Sequence, residues 1–456
     1  MKITVIGGGG VRSPMLGKSL AQAAKELRIN QVVFMDNNER KLNIYGALAK
    51  ETAGRICPQM DFVLTTDAVE AVRDADYVIT TIRVGEDEKR IDDEKIALHH
   101  NILGQETTGA AGFSFAMRSV PALAGYCELI RKYARPDVKV FNFTNPAGVV
   151  SQTLRDMGYD FTYGICDAPS SLLRSIAKLY GTDINTVTAS CYGLNHLSFF
   201  NSICFSGVEM LPEIIENDRV YQETDMRFFS KELTRKTGCL LNEYMYYYFY
   251  REQAVQNIIH AGITRGETIQ DVNRHMTSEL SCLDPVKDFE RCLAVYVKWQ
   301  GRRSDQYMNH ETGRGTVTPF AFDLTSNDDG GYAGVALQFI RAQQTEKPVQ
   351  MIICVPNNGA IPGLQDSDVV EISSTVGPDG SCVPHPVKDP GDIPMEYIRR
   401  VKQYERYASR AIINHSRDDA VTCLMFHPLV NSYSLAEQLI NEYLKSNRDF
   451  IRGWSL

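Results

Sequence analysis

The chain opens on KITVIGGGGVRSP, a short apolar run that breaks into four glycines and then, from Pro14, into helical spacing through Met15, Leu16, Leu20 and Ala23. This feature constrains the fold most, because a strand feeding a glycine turn and a helix is the start of a βαβ unit. QVVFMD follows as a second buried strand, ending at Asp36. The alternation continues with a helix over about 39–56, the edge-like DFVLT, the strand DYVIT, a helix near 115–133, and the strands VKVFNFTNP and FTYGIC. Such a rhythm predicts an α/β fold with a Rossmann-type, doubly wound parallel sheet covered by helices on both faces.

After about residue 190 the rhythm changes. CYGLNHLSFFNSICFSG reads as a β-hairpin, NEYMYYYFYREQ as an amphipathic stretch, 267–300 as a polar helix and VQMIICV as a strand. Helical patterns recur over 396–416 and 434–448, and the Gly- and Asp-rich stretches 326–334 and 376–392 read as loops. The expected organisation is a Rossmann-like domain over 1–193, followed over 194–456 by a mixed α+β domain.

Composition narrows the function classes. With 456 residues, 43% hydrophobic and 23% charged, the chain is long enough for a large core and is not a disordered or low-complexity sequence. A net charge of -8 argues against a nucleic-acid or anionic-membrane surface. Eleven cysteines, with no CxxC pair, suggest reduced thiols in a cytoplasm. The N-terminus lacks the pattern of a signal peptide, and no apolar run approaches the roughly 18 to 20 residues of a membrane span. The expectation is a soluble cytoplasmic protein without nucleic-acid or membrane partners.

Several residues could carry chemistry. In the first turn, Gly8, Gly9, Gly10, Val11 and Arg12 lie where backbone amides and a helix N-terminus face a pyrophosphate, although the third glycine of GxGxxG is absent. Asp36, at the end of the second strand, suits a ribose 2'-hydroxyl and repels a 2'-phosphate, which favours NAD over NADP. Cys166 at a strand end and His196 in GLNH are each more often structural; together they could form an open, two-ligand metal site. Asp167 could place a carboxyl at the mouth of the sheet, but by pattern it fits a helix N-cap better. Tyr244 belongs to a tyrosine cluster that reads as a packing face, and Arg83, Arg90 and Arg265 are surface charges unless they converge on a phosphate.

Taken in order, IRVG (82–85), GQETTG (104–109), MRSVP, TNPAG (144–148), GICDAP (164–169), GLNH (193–196), NEYMYYY (242–248) and VPNNGAI (355–361), together with the glycine turn, resemble glycoside hydrolases of family 4 over nearly the whole chain. The resemblance implies a fold shared with lactate and malate dehydrogenases, with 1–193 as the NAD-binding domain and 194–456 as the domain for substrate, metal and oligomerisation. It also implies a homodimer or homotetramer that hydrolyses 6-phospho-glucosides, taking a phosphorylated disaccharide or glucoside as substrate and using NAD and a divalent metal, usually Mn²⁺. In that scheme Cys166 and His196 are the metal ligands, Tyr244 takes the proton from sugar C2, and Asp167 protonates the leaving group. Arg83 and Asn145 join the turn residues on the cofactor side, with Asn145 also reaching the substrate. Glu106, Arg90 and Arg265 lie on the substrate side, the two arginines holding a 6-phosphate.

The implied route removes a hydride from C3, eliminates the C1 oxygen, adds water and returns the hydride, so NAD is not consumed. Cys166-Asp167 favours a 6-phospho-α-glucosidase, whereas GQETTGAAG and TNPAG lean towards the β-type; a neutral-sugar glycosidase of the family is a further alternative. From other classes, the alternatives are an NAD-dependent 2-hydroxy-acid dehydrogenase and a non-catalytic sugar or NAD sensor.

Overall fold

The structure, a computed structural model, describes residues 1–314, 320–326 and 333–454. Six parallel strands form its centre: β1 (Lys2–Ile6), β2 (Gln31–Met35), β3 (Asp61–Thr65), β4 (Tyr77–Thr80), β5 (Lys139–Asn142) and β6 (Thr162–Gly164), in the spatial order 3-2-1-4-5-6. Side chains alternate between two cores. Ile3, Val5, Val32, Phe34 and Ile79 enter the larger one, while Ile6, Val33, Val78 and Val140 enter the one on the opposite face. Burial on both faces is why these strands read as continuous apolar runs.

A second, small sheet follows: β7 (Val187–Leu194) and β8 (Leu197–Phe205) form the expected hairpin, and the short β9 (Val208–Glu209) and β10 (Leu240–Leu241) flank it. The chain then returns to the first sheet. Strands β11 (Val349–Pro356), β12 (Val369–Val376) and β13 (Cys382–Pro384) extend it to nine, with β11 antiparallel to β6 and Cys354 opposite Gly164. Ser373 joins the two sheets, accepting from the Cys191 amide at 3.0 Å and donating to the Ala189 carbonyl at 2.7 Å.

The helices expected from the sequence are present, but others were not anticipated, among them Ala147–Asp156, Gly334–Gln344 and Arg417–Phe426. The polar stretch 267–300 is two helices, Arg265–Leu280 and Phe289–Asp305, because Asp284 accepts from the Val286 and Lys287 amides and Pro285 follows it in a turn. The helix expected near 115 begins earlier, at Gly109, and the charged helix Glu86–His99 carries no apolar stripe by which to anticipate it. Of the loop expected at 326–334, residues 327–332 lie outside the described part. Among the described residues no helix is long and apolar enough to cross a membrane.

Candidate active site

A cleft of about 1140 Å³ opens at the C-terminal ends of the parallel strands, where the strand order reverses beside β1. Ligands bind at such switch points in open α/β sheets. A single small-ligand pocket is typically roughly 300 to 1,000 Å³, so this one has room for a dinucleotide and a second molecule.

The glycine turn forms one wall. Gly7 has φ 99°, and a Cβ there would lie 2.4 Å from the Thr81 carbonyl oxygen, so only glycine passes between β1 and the end of β4. Gly9, Gly10, Val11 and Arg12 line the cleft; Gly8 does not. A Cβ at Gly8 would sit 2.6 Å from Phe34 Cβ, so its glycine serves the packing of the turn on β2. Asp36 is tied into the turn, its Oδ2 accepting from the Gly9 amide and its Oδ1 from the Asn38 amide, both at 2.9 Å. From the far side, Tyr296 Oη and Gln300 Nε2 each donate to the Val11 carbonyl at 3.0 Å. The loop carrying Asn145 is fixed to the end of β4, where the Ile82 amide donates to Thr144 Oγ1 at 3.0 Å.

Cys166 follows β6, and His196 sits in the two-residue turn between β7 and β8 with a left-handed φ of 62°. Cys166 Sγ and His196 Nε2 are 3.5 Å apart. That is about the separation of two ligands on one ion, with metal–sulfur and metal–nitrogen distances of roughly 2.3 and 2.0–2.1 Å. Burial lowers the His196 pKa to about 4, leaving a neutral imidazole, and its Nδ1 is enclosed without a hydrogen-bond partner. Burial, with Glu371 and Asp167 nearby, pushes the Cys166 thiol well above its usual range. A buried thiol and imidazole of this kind fit a cation: it would convert the thiol to thiolate and use the idle ring. Among the described residues no set of three or more His, Cys, Asp or Glu side chains is placed to hold a metal, so this pair is an open site.

Asp167 stands at the N-cap position of the helix Ala168–Tyr180, yet its side chain makes no capping hydrogen bond. The carboxyl lines the cleft instead. The Tyr244 ring stacks on the His196 imidazole at 3.9 Å between centroids. Burial and the neighbouring Glu243 raise its phenol above the usual range. Glu243 is itself pushed up to about 8 by burial and Asp225, and its Oε1 accepts from Tyr307 Oη at 3.0 Å.

The charges expected on the substrate side form a ladder. Arg83 pairs with Glu106; Arg90 Nη1 reaches Glu106 Oε1 at 3.2 Å, and Arg90 Nε reaches Glu94 Oε1 at 2.8 Å. Burial alone would raise the Glu106 carboxyl, but Arg83 and Arg90 outweigh it and hold the group well below the carboxylate range. Arg265 lines the same cleft and is not part of that ladder.

Every residue singled out in the sequence, apart from Gly8, therefore lines one cleft. Sequence reasoning missed Gln300, Arg303 and Tyr307 on its far wall, and Tyr296 behind them, which holds the Val11 carbonyl. Their spacing of three to four residues was a readable signal of a polar face on the helix Phe289–Asp305 and just beyond it.

A glycine turn on a 3-2-1-4-5-6 sheet, with a thiol–imidazole pair and an arginine cluster across the cleft, defines a dinucleotide-binding type of α/β enzyme fold. The sequence profile of the family 4 glycosyl hydrolases matches residues 2–182, and that of their C-terminal domain matches 191–430; the chain belongs to this family. The 6-phospho-beta-glucosidase of Thermotoga maritima is 29% identical over 456 residues, covering 99% of this chain and 100% of that one. Its structure with manganese, NAD+ and glucose-6-phosphate aligns with a TM-score of 0.81 at 27% identity over 99% of both chains. A phospho-alpha-glucosidase of Clostridium acetobutylicum is 26% identical over 98% of both chains. Malate dehydrogenase from Salinibacter ruber shares the fold, with a TM-score of 0.52 at 13% identity over 92% of this chain and 99% of its own.

Proposed function

We propose that this chain hydrolyses 6-phospho-glucosides, α-linked ones favoured, by redox-elimination-addition with NAD and a divalent metal. The observation that carries the reading is the meeting, in one cleft, of the glycine turn with Asp36, the Cys166–His196 pair 3.5 Å apart, and the arginines opposite. Relatives named as 6-phospho-glucosidases support the substrate class. When bound, NAD takes up and returns a hydride, and the metal polarises the neighbouring sugar oxygens.

The chain's own residues divide the remaining work. Gly9 to Arg12 and Asp36, with Arg83 and Asn145, hold the dinucleotide, and Cys166 and His196 hold the ion. The Tyr244 hydroxyl takes the proton from sugar C2, and the Asp167 carboxyl, left uncapped, protonates the departing C1 oxygen. Asn145, Glu106, Arg90 and Arg265 surround the phosphosugar. The α reading rests on Asp167 beside Cys166; the second reading, β, rests on GQETTGAAG at 104–112.

The test is turnover of α- and β-nitrophenyl glucoside 6-phosphates, with and without NAD and Mn²⁺. Nitrophenol release should need both additives, and NADH should not build up in proportion to product. Turnover without NAD would remove the redox route, and stoichiometric NADH would return the dehydrogenase reading.

Asp36 gives a binding prediction. Because its two oxygens anchor the turn, Asp36→Ala should weaken NAD by about 10-fold or more and narrow its advantage over NADP, a charged hydrogen bond being worth roughly 1.5 to 3 kcal/mol. Titrating both nucleotides into the isolated protein measures this, and equal wild-type affinity for the two would refute the assigned role.

A further inference from the structure

Among the described residues, the guanidiniums of Arg265 and Arg303 in the cleft have no carboxylate partner. Arg265 is the first residue of the helix Arg265–Leu280, and Arg303 lies in the last turn of the helix Phe289–Asp305 packed against it. They meet side by side, with Arg265 Nη2 donating to the Arg303 carbonyl at 3.0 Å. Arg265 Nη1 is buried with no hydrogen-bond partner. Arg303 Nη1 has a long contact of 3.4 Å to Asn273 Oδ1, whose amide already donates to Asp87 Oδ2 at 2.7 Å. Among the described residues neither arginine forms an ion pair, in contrast to Arg83 and Arg90. The acid closest in effect to Arg265 is Glu311, which is enclosed and itself pushed up by burial.

Adjacent like charges that are desolvated and unpaired are unfavourable without a counter-ion. Burial, with Arg12 and Arg265 close by, brings Arg303 down to about 9. A basic residue in the last turn of a helix usually serves the helix dipole, and Arg302 next to it is the exposed residue that does so here. Arg303 lines the cleft.

We infer that Arg265 and Arg303 together form the site for the phosphate dianion of the substrate, and that Arg90, locked to Glu94 and Glu106, is a positioning residue. The inference rests on the phosphoglucosidase reading and revises its phosphate-binding pair. Two forked guanidiniums can neutralise a dianion through parallel N–H···O bonds, whereas Arg90 has its Nε and Nη1 engaged and its charge already balanced by Glu94 and Glu106. The diphosphate of the dinucleotide has the same chemistry, and Arg12 of the glycine turn is close enough to Arg303 to make it the competing source.

The test compares wild type with Arg303→Gln, Arg303→Lys and, as a control on the same turn, Arg302→Gln. Three quantities are measured: the affinity for glucose 6-phosphate against glucose, the affinity for NAD alone, and the rise in Tm with inorganic phosphate. Arg303→Gln should weaken glucose 6-phosphate by roughly 10- to 150-fold and abolish the phosphate-dependent rise, leaving NAD affinity unchanged and the Tm without phosphate no lower, because the like-charge contact is relieved. Arg303→Lys should fall between, since it keeps the charge and loses the fork, so it also serves if the Gln protein folds poorly. Unchanged glucose 6-phosphate affinity in both variants overturns the inference, as does a loss confined to NAD, which would assign the pair to the diphosphate. If phosphate stabilises the wild type through Arg303 while no phosphoglucoside is hydrolysed, the dianion site stands and the glucosidase reading fails.

Discussion

Replacing Cys166 by Ser is expected to lower kcat/KM on a 6-phospho-glucoside by about 10³-fold or more, equivalent to about 4 kcal/mol of Lewis-acid assistance. Among the described residues only Cys166 and His196, 3.5 Å apart, are placed to hold the ion, so none of the others there can compensate. A thiol in this enclosed, acid-flanked position would release its proton only when its sulfur binds a dication, and a serine hydroxyl would release its own far less readily. Exhaustive chelation should bring the wild type down to the level of the variant, and added Mn²⁺ should restore the wild type alone. A chelated Cys166→Ser protein with full activity would dispose of the metal assignment.

The second large effect is expected at Tyr244. Tyr244→Phe keeps the ring that stacks on His196 and removes only the hydroxyl, so it isolates proton transfer from packing. A loss of about 10²- to 10⁴-fold in kcat is expected, with NAD affinity unchanged. Burial and Glu243 hold the phenol in its neutral form, so it becomes a base only where nearby positive charge reverses that bias. In D₂O the wild-type product should carry deuterium at C2. Retention of the original C2 hydrogen in every product molecule would exclude elimination and point to direct displacement.

The parallel sheet was legible because its strands are buried on both faces and therefore appear as unbroken apolar runs. The helix Glu86–His99 was not, because its buried positions include Arg90, Asp93 and Glu94, whose partners are other charges; apolar periodicity fails where a helix faces a polar interior. Nor does any local pattern announce that Val349–Pro356 pairs with Thr162–Gly164, since that contact joins distant segments. At the site, the roles proposed for Cys166, His196 and Tyr244 came from family resemblance, and their separation needed the fold. Asp167 shows a limit of pattern reading: the residue occupies the cap position its sequence suggested, and the capping bond is absent. Arg303 was not singled out in the sequence, because only the packing of two helices puts it beside Arg265.

His196 occupies a left-handed backbone position, with φ at 62°, where a side chain costs about 1 to 2 kcal/mol relative to glycine. The hairpin would be more comfortable with glycine or asparagine there, yet neither brings an imidazole. Selection for heat resistance and selection for turnover therefore pull this codon in opposite directions. A library sorted only by survival on heating should enrich non-histidine residues at 196 and return well-folded proteins that no longer hold the ion.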